Sequence, residues 1–162
     1  MLLHAVSMRR VTLFLDFDGV THPLHCHESK HFRWLSGIED VLRHVPSTEV
    51  VVSSTWRIQY PLVALRARFS ADVAERVVGM TPHQVSLDAV PARFLGFPRH
   101  AECIAWMRAN RQSHDVWLAI DDRPYLFEPF FSGVVVTDSR FGATGDALEK
   151  LRHELERLAL SL

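Results

Sequence analysis

Asp16 and Asp18 stand one residue apart and are followed by Gly19, directly after the apolar, β-prone run Val11 to Leu15. A second acidic pair, Asp121-Asp122, follows a similar run, Val116 to Ile120. The hydroxyls of Ser53, Ser54 and Thr55 follow a third, Thr48 to Val52. Side chains one residue apart at a strand end leave the backbone on different sides, so Asp16 and Asp18 can do different jobs. If the three runs are parallel strands of one sheet, their carboxyl ends share an edge, which is where open α/β sheets bind ligands. Asp16, Asp18, Ser53 and Asp121 then converge in space. Carboxylates gathered in this way repel one another, and a cation or shared protons must neutralise them. Magnesium suits such a set, because it takes oxygen ligands from one or two carboxylates, waters and a substrate phosphate. A phosphoryl group would then be held between the metal, a serine hydroxyl and a basic side chain. Arg99, at a predicted helix start after Pro98, is the candidate base. An Asp-x-Asp-Gly stretch alone is ordinary turn chemistry; the second acidic pair favours a catalytic set.

The elements that must position these residues alternate along the chain. Ile38, Val41, Leu42 and Val45 repeat at helical spacing, which predicts a helix over about 37–45, and Ser36 with Glu39 has the spacing of a capping box. Pro46 ends it, and the strand Thr48 to Val52 follows. Leu62, Leu65 and Phe69 predict a helix after Pro61. Val73 to Glu75 predicts another helical piece, and Val77 to Met80 a short strand. Residues 81–98, with three prolines and a glycine, read as an irregular connection. A helix from Arg99 or His100 to Asn110 should bury Cys103, Ile104 and Met107. Phe127, Phe130 and Phe131 are expected in the core or wall, Gly133 to Thr137 as a final strand, and Leu148, Leu151, Leu155 and Leu158 on a closing helix. The pattern is α/β, a five-stranded parallel sheet with right-handed crossovers and helices on both faces.

The stretch 21–35 should be a loop or flap beside the site. Its first eleven residues hold His22, His25, Cys26, His27 and His31, but no spacing matches a zinc motif, and solvated histidines are the expectation. Trp56 and Arg57 read as packing and a structural ion pair.

A chain of 162 residues with 48% hydrophobic content fits a single domain over 1–162. Eighteen basic against nineteen acidic residues leave a net charge of -1, so no global field recommends nucleic acid or an anionic membrane. Cys26 and Cys103 are far apart in sequence and are read as free thiols. Residues 1–8 are too short and too weakly patterned for a secretory signal, and no apolar run reaches membrane-spanning length. The expectation is a soluble, cytoplasmic protein without a membrane partner, with residues 1–8 a disordered extension.

Asp16-Phe17-Asp18-Gly19-Val20 resembles the first motif of the haloacid dehalogenase (HAD) superfamily. Ser53 after Val50 to Val52 resembles its second motif, Arg99 its third and Asp121-Asp122 its fourth. Within the superfamily, Val52 to Arg57, Arg76 to Pro82 and Arg99 to Trp106 are similar to the HAD domains grouped with Swiss Army Knife RNA-repair proteins. The resemblance implies a Rossmann-like HAD core and a Mg²⁺-dependent phosphatase. Asp16 would be the nucleophile that forms an aspartyl-phosphate. Asp18 would be the general acid and base, with its pKa raised. Metal would be held by Asp16, the main-chain carbonyl of Asp18 and Asp121, with Asp122 acting through water. Ser53 and Arg99 would bind phosphate. The third motif is usually lysine, and Arg93 competes with Arg99 for it; Ser54 and Thr55 compete with Ser53. No stretch is long enough for a sizeable cap domain, so the site should be open. Openness suits a phosphorylated RNA, DNA or protein substrate. A small-metabolite phosphatase and a non-catalytic HAD-like binding or regulatory module are the alternatives.

Overall fold

Five strands, β1 (Val11–Leu15), β2 (Thr48–Val52), β3 (Val77–Met80), β4 (Val116–Asp121) and β5 (Val134–Val136), make one all-parallel sheet in the order β3-β2-β1-β4-β5. This is a computed structural model, which describes residues 8–161; all but Met8 of the expected N-terminal extension lies outside them. The helices are α1 (Leu35–His44), α2 (Leu62–Arg66), α3 (Ala71–Ala74), α4 (Pro98–Asn110) and α5 (Gly145–Leu160).

The period-2 alternation of β1 divides the core between the two faces. Val11, Leu13 and Leu15 pack with Ile38 and Leu42 of α1, Leu65 of α2, Val73 of α3, and Leu151 and Leu155 of α5. Phe14 packs on the other face with Cys103, Trp106 and Met107 of α4 and with Phe127. Leu13, Phe14 and Leu15 are fully buried, and each contributes about 1.5–3 kcal/mol by leaving water. A strand covered on both faces reads as a near-continuous apolar run, as Leu13–Leu15 of β1 and Val50–Val52 of β2 do.

Several local expectations give way to tertiary contacts. Trp34 precedes α1 without capping it through its side chain, so Ser36 lies inside the helix and forms no capping box. Glu39, buried, instead accepts the Ser70 N–H at 2.7 Å and the Ser70 hydroxyl at 2.6 Å. A buried carboxylate needs such partners, and these tie α1 to the start of α3. Ile104 is half-buried against the small cluster around Val90 and Phe94. Phe130 is fully exposed, because its left-handed backbone (φ 63°) turns it outward while Phe127 takes the core position. Between β1 and α1 the only helical piece is a 3-10 turn, Glu28–Lys30, and among the described residues no segment builds a cap. None of their helices is long and apolar enough to cross a membrane.

Candidate active site

Register brings the sequence-distant residues together. Leu15 lies opposite Val52 on one side and Ile120 on the other, so Asp16, Ser53 and Asp121 follow in one row along the carboxyl edge. The Asp16 N–H donates to the Ile120 carbonyl (3.2 Å) and the Ser53 N–H to the Leu15 carbonyl (3.0 Å), which extends the ladder past the apolar residues. The chain runs outward from β1 to β3 and returns to β4 beside β1, so Asp16 and Asp121 flank the switch point of the sheet.

Asp16, Asp121 and Asp122 each place a carboxylate oxygen within 4.8 Å of the other two. Burial raises the pKa of Asp16 despite the attraction of Arg99. Burial, and then the charge of Asp16, raises Asp121 to about 7 and Asp122 to about 6. Asp122 Oδ1 is buried without a hydrogen-bond partner. Arg99 is the one buried guanidinium among the three carboxylates, with the more exposed Arg123 reaching Asp122 only at 4.0 Å, so the cluster keeps an excess of acids. Hard oxygen ligands, excess negative charge and an orphaned carboxylate oxygen fit Mg²⁺. Gly19 (φ 75°) makes the approach possible, since a Cβ there would collide with the Asp122 carboxylate. Thr137, just beyond β5, donates its hydroxyl to the Gly19 carbonyl at 2.7 Å and fixes the turn.

Of the two candidate bases, Arg99 is the one that reaches the carboxylates. Its Nη1 lies 2.8 Å from Asp121 Oδ2 and 3.3 Å from Asp16 Oδ1, and its Nε 3.7 Å from Glu102. Burial works against its charge, but Asp16 and Asp121 outweigh it and raise its pKa. Arg93 is exposed, rests on the Phe94 ring and pairs with Glu128 at 3.6 Å, away from the cluster. Of the serines, Ser54 uses its hydroxyl to cap the 3-10 turn Thr55–Ile58, accepting the Trp56 N–H at 3.3 Å. Ser53 has no such side-chain commitment among the described residues. Arg57 is structural, as expected. It donates to the carbonyls of Ser53, Ser54, Thr81 and Pro82 and pairs with Glu102 at 3.0 Å. Glu102, unnoticed in the sequence, therefore links Arg57 to Arg99.

Asp18 departs from expectation. Its carboxylate stands apart from the other three: Oδ1 is 2.9 Å from His22 Nε2, and Oδ2 accepts the Trp56 indole N–H at 3.2 Å. The His22 hydrogen bond, outweighing burial and aided by Trp56, lowers the Asp18 pKa where the resemblance implied a raised one. His22 itself is buried, not solvated. Its Nδ1 accepts the Phe32 N–H at 3.2 Å, and its ring lies against His31, Phe32 and Trp56. With Nδ1 accepting, Nε2 carries the proton that Asp18 receives. His22 and Trp56 are thus site residues that sequence reading assigned to solvent and to packing. No period marks a loop histidine, and Trp56 is apolar enough to pass for core.

A cleft of about 580 Å³ opens beside Asp18, lined by His27, His31, Trp56, Gln59, Tyr60 and Arg68. Trp56 and Tyr60 stack within it at 5.4 Å, and Arg68 lies over the Trp56 ring at 5.7 Å. A larger cleft of about 860 Å³, around Tyr125, Phe130 and Phe131, touches none of the carboxylates and is remote from the chemistry.

No curated protein and no solved structure matches the chain. A family model for the HAD domain in Swiss Army Knife RNA repair proteins matches residues 12–148. That range holds both acidic pairs, Ser53, Arg99, His22 and Trp56, and it covers most of the chain. The chain belongs to this HAD domain family.

Proposed function

We propose that the protein is a Mg²⁺-dependent phosphatase that hydrolyses phosphoric monoesters through an aspartyl-phosphate on Asp16, acting on the phosphorylated ends of RNA or DNA. The observation that carries the reading is the separation of the two carboxylates. Asp16 sits among Arg99, Asp121 and Asp122, whereas Asp18 faces the opposite side, at the cleft a leaving group would occupy. An Asp16 oxygen attacks phosphorus in line; the new O–P bond forms as the ester O–P bond breaks, and the leaving oxygen takes a proton. Arg99 and the Ser53 hydroxyl hold the phosphate oxygens. Asp16, Asp121 and the Asp18 main-chain carbonyl would hold Mg²⁺, with Asp122 acting through water, and the ion would neutralise charge on the transferring group. Asp18, kept ionised by His22 and Trp56, is ready as the base that deprotonates water for hydrolysis of the aspartyl-phosphate. Its acid role in the first step requires it to leave those two donors and take a proton.

Three features support a nucleic-acid end as substrate: the family's RNA-repair setting, an edge without a cap, and the stacked Trp56–Tyr60 pair with Arg68 beside Asp18, which suits a nucleobase. RNA repair also agrees with a cytoplasmic location.

The test is phosphate release from an aryl phosphate and then from phosphorylated oligonucleotides, with Mg²⁺ or excess chelator, for wild type and Asp16→Asn. Release that needs metal and falls about a thousandfold or more in Asp16→Asn is the expected result. Preference for a sugar phosphate over every oligonucleotide end would make the protein a metabolite phosphatase. No release across nucleotides, sugar phosphates and phosphorylated ends would overturn the enzyme reading. A salt-dependent RNA complex unaffected by Asp16→Asn would then point to a binding module.

A further inference from the structure

The second cluster of metal-ligating groups in the described residues lies on the other side of Asp18. His22, Cys26 and His31 each present one ligand atom, and the three atoms lie within 4.8 Å of one another. All three come from the segment between β1 and α1, which turns back on itself at two left-handed non-glycine residues. His25 (φ 58°) directly precedes Cys26, and Phe32 (φ 61°) directly follows His31. Such conformations cost about 1 kcal/mol or more each and persist only where their surroundings enforce them. They bring the thiol and the second imidazole to the buried first one.

The donor set differs in kind from the carboxylate cluster. A thiol and two imidazoles are soft to borderline ligands, suited to Zn²⁺ and poorly suited to Mg²⁺. Zinc bonds of about 2.0–2.3 Å space tetrahedral ligands about 3.3–3.8 Å apart, so closure of about 1 Å completes the site. Cys26 and His31 are half-buried, which leaves an entry path from the cleft. Ligation through His22 Nε2, the nitrogen facing Asp18, takes the Nδ1–H tautomer, in which Nδ1 donates to the Thr21 hydroxyl 3.0 Å away in place of accepting the Phe32 N–H. Asp18 Oδ1 lies 2.9 Å from that Nε2 and adjoins the three, but is not one of the mutually close ligand atoms.

We propose that His22, Cys26 and His31 form a binding site for Zn²⁺ or a similar borderline-soft divalent cation, distinct from the Asp16–Asp121–Asp122 cluster and adjoining Asp18. Binding sends the Cys26 thiol proton to solvent and moves the His22 proton from Nε2 to Nδ1, so the imidazole stays neutral. It removes the His22 hydrogen bond to Asp18. Where the phosphatase reading holds, zinc at this site withdraws Asp18 from acid–base work and inhibits the enzyme from outside the Mg²⁺ cluster.

The test uses Co²⁺ as a spectroscopic stand-in, added to the reduced full chain in saturating Mg²⁺. Thiolate ligation gives an intense charge-transfer absorption in the near ultraviolet. The chain has two cysteines, and Cys103 is fully buried in the core on α4, so the band must come from Cys26. Wild type and Asp16→Asn are expected to show the band and Cys26→Ser to lose it. Stoichiometric Zn²⁺ should abolish it by competition. His31→Ala should weaken Zn²⁺ binding about tenfold or more. Absence of the band in folded wild type, its retention in Cys26→Ser, or its loss in Asp16→Asn would each overturn the proposal. None of these readouts depends on catalysis, so the site and the phosphatase reading stand or fall separately.

Discussion

At the scale of single residues, the site turns on how few charges hold it. Arg99 is the one guanidinium in contact with Asp16 and Asp121, and its side chain is almost wholly buried. Removing one partner of a buried charge set leaves the others uncompensated, at a cost of about 3–5 kcal/mol. Arg99→Ala should therefore lower stability by about that amount in metal-free protein, read by chemical denaturation, and Mg²⁺ should restore part of it. Arg99→Lys keeps the charge but loses the planar fork, so it should fold better than Arg99→Ala while losing phosphatase activity about tenfold or more. Trp56→Phe keeps the ring against Phe17 and Phe32 but removes the N–H to Asp18. It should change stability by about 1 kcal/mol or less and reduce turnover more than substrate affinity. Equal losses of stability and turnover would mean that Trp56 only packs. The acids were legible in the sequence because they follow apolar strands. The clamp on Asp18 was not, because His22 and Trp56 reach it through side-chain directions that no spacing encodes. That a cap takes up the Ser54 hydroxyl, and that Arg99 rather than Arg93 meets the carboxylates, likewise depend on side-chain directions that spacing does not encode.

At the scale of elements, the strands carried most of the legible fold. A parallel strand covered on both sides leaves a near-continuous apolar run, and all five runs become strands within a residue or so of their expected ends. Helix ends were less legible, since Glu39 has the spacing of a local cap and serves a distant one at Ser70. Glu39→Ala should leave the Ser70 N–H and hydroxyl without their acceptor and destabilise by about 1–3 kcal/mol, whereas Glu39→Gln, which keeps one acceptor, should cost less. Equal effects of the two substitutions would mean that the packing of α1, not the hydrogen bonds, matters there. The β1 turn works as an element too. Gly19→Ala combines an unfavourable φ with a collision against Asp122. It should weaken Mg²⁺ binding, measured by calorimetry, more than it lowers the melting temperature.

For the whole molecule, a net charge of -1 conceals an uneven distribution, because the acids that matter are concentrated at one sheet edge. Asp121 at about 7 and Asp122 at about 6 bind protons in the folded state at pH values where the unfolded chain, with carboxyls near the ordinary 3.8, has released them. For groups raised in this way, the stabilising contribution is fully present below the unfolded value and is lost as pH rises through the folded values. Asp18, lowered by His22, acts in the opposite sense, and its contribution is lost as pH falls below the ordinary carboxylate range. Metal-free protein should therefore be most stable near about pH 4, where the unfolded carboxyls begin to ionise, and lose melting temperature steadily toward about pH 8. Ligation of Mg²⁺ would need the acids deprotonated, so added Mg²⁺ should raise the melting temperature far more at about pH 8 than at about pH 5.5. Asp122→Asn removes one of the raised groups and should flatten the decline at high pH. An equal Mg²⁺ effect at both pH values would show that the buried carboxylates are not its ligands. A decline in Asp122→Asn as steep as in wild type would place the pH dependence elsewhere in the fold.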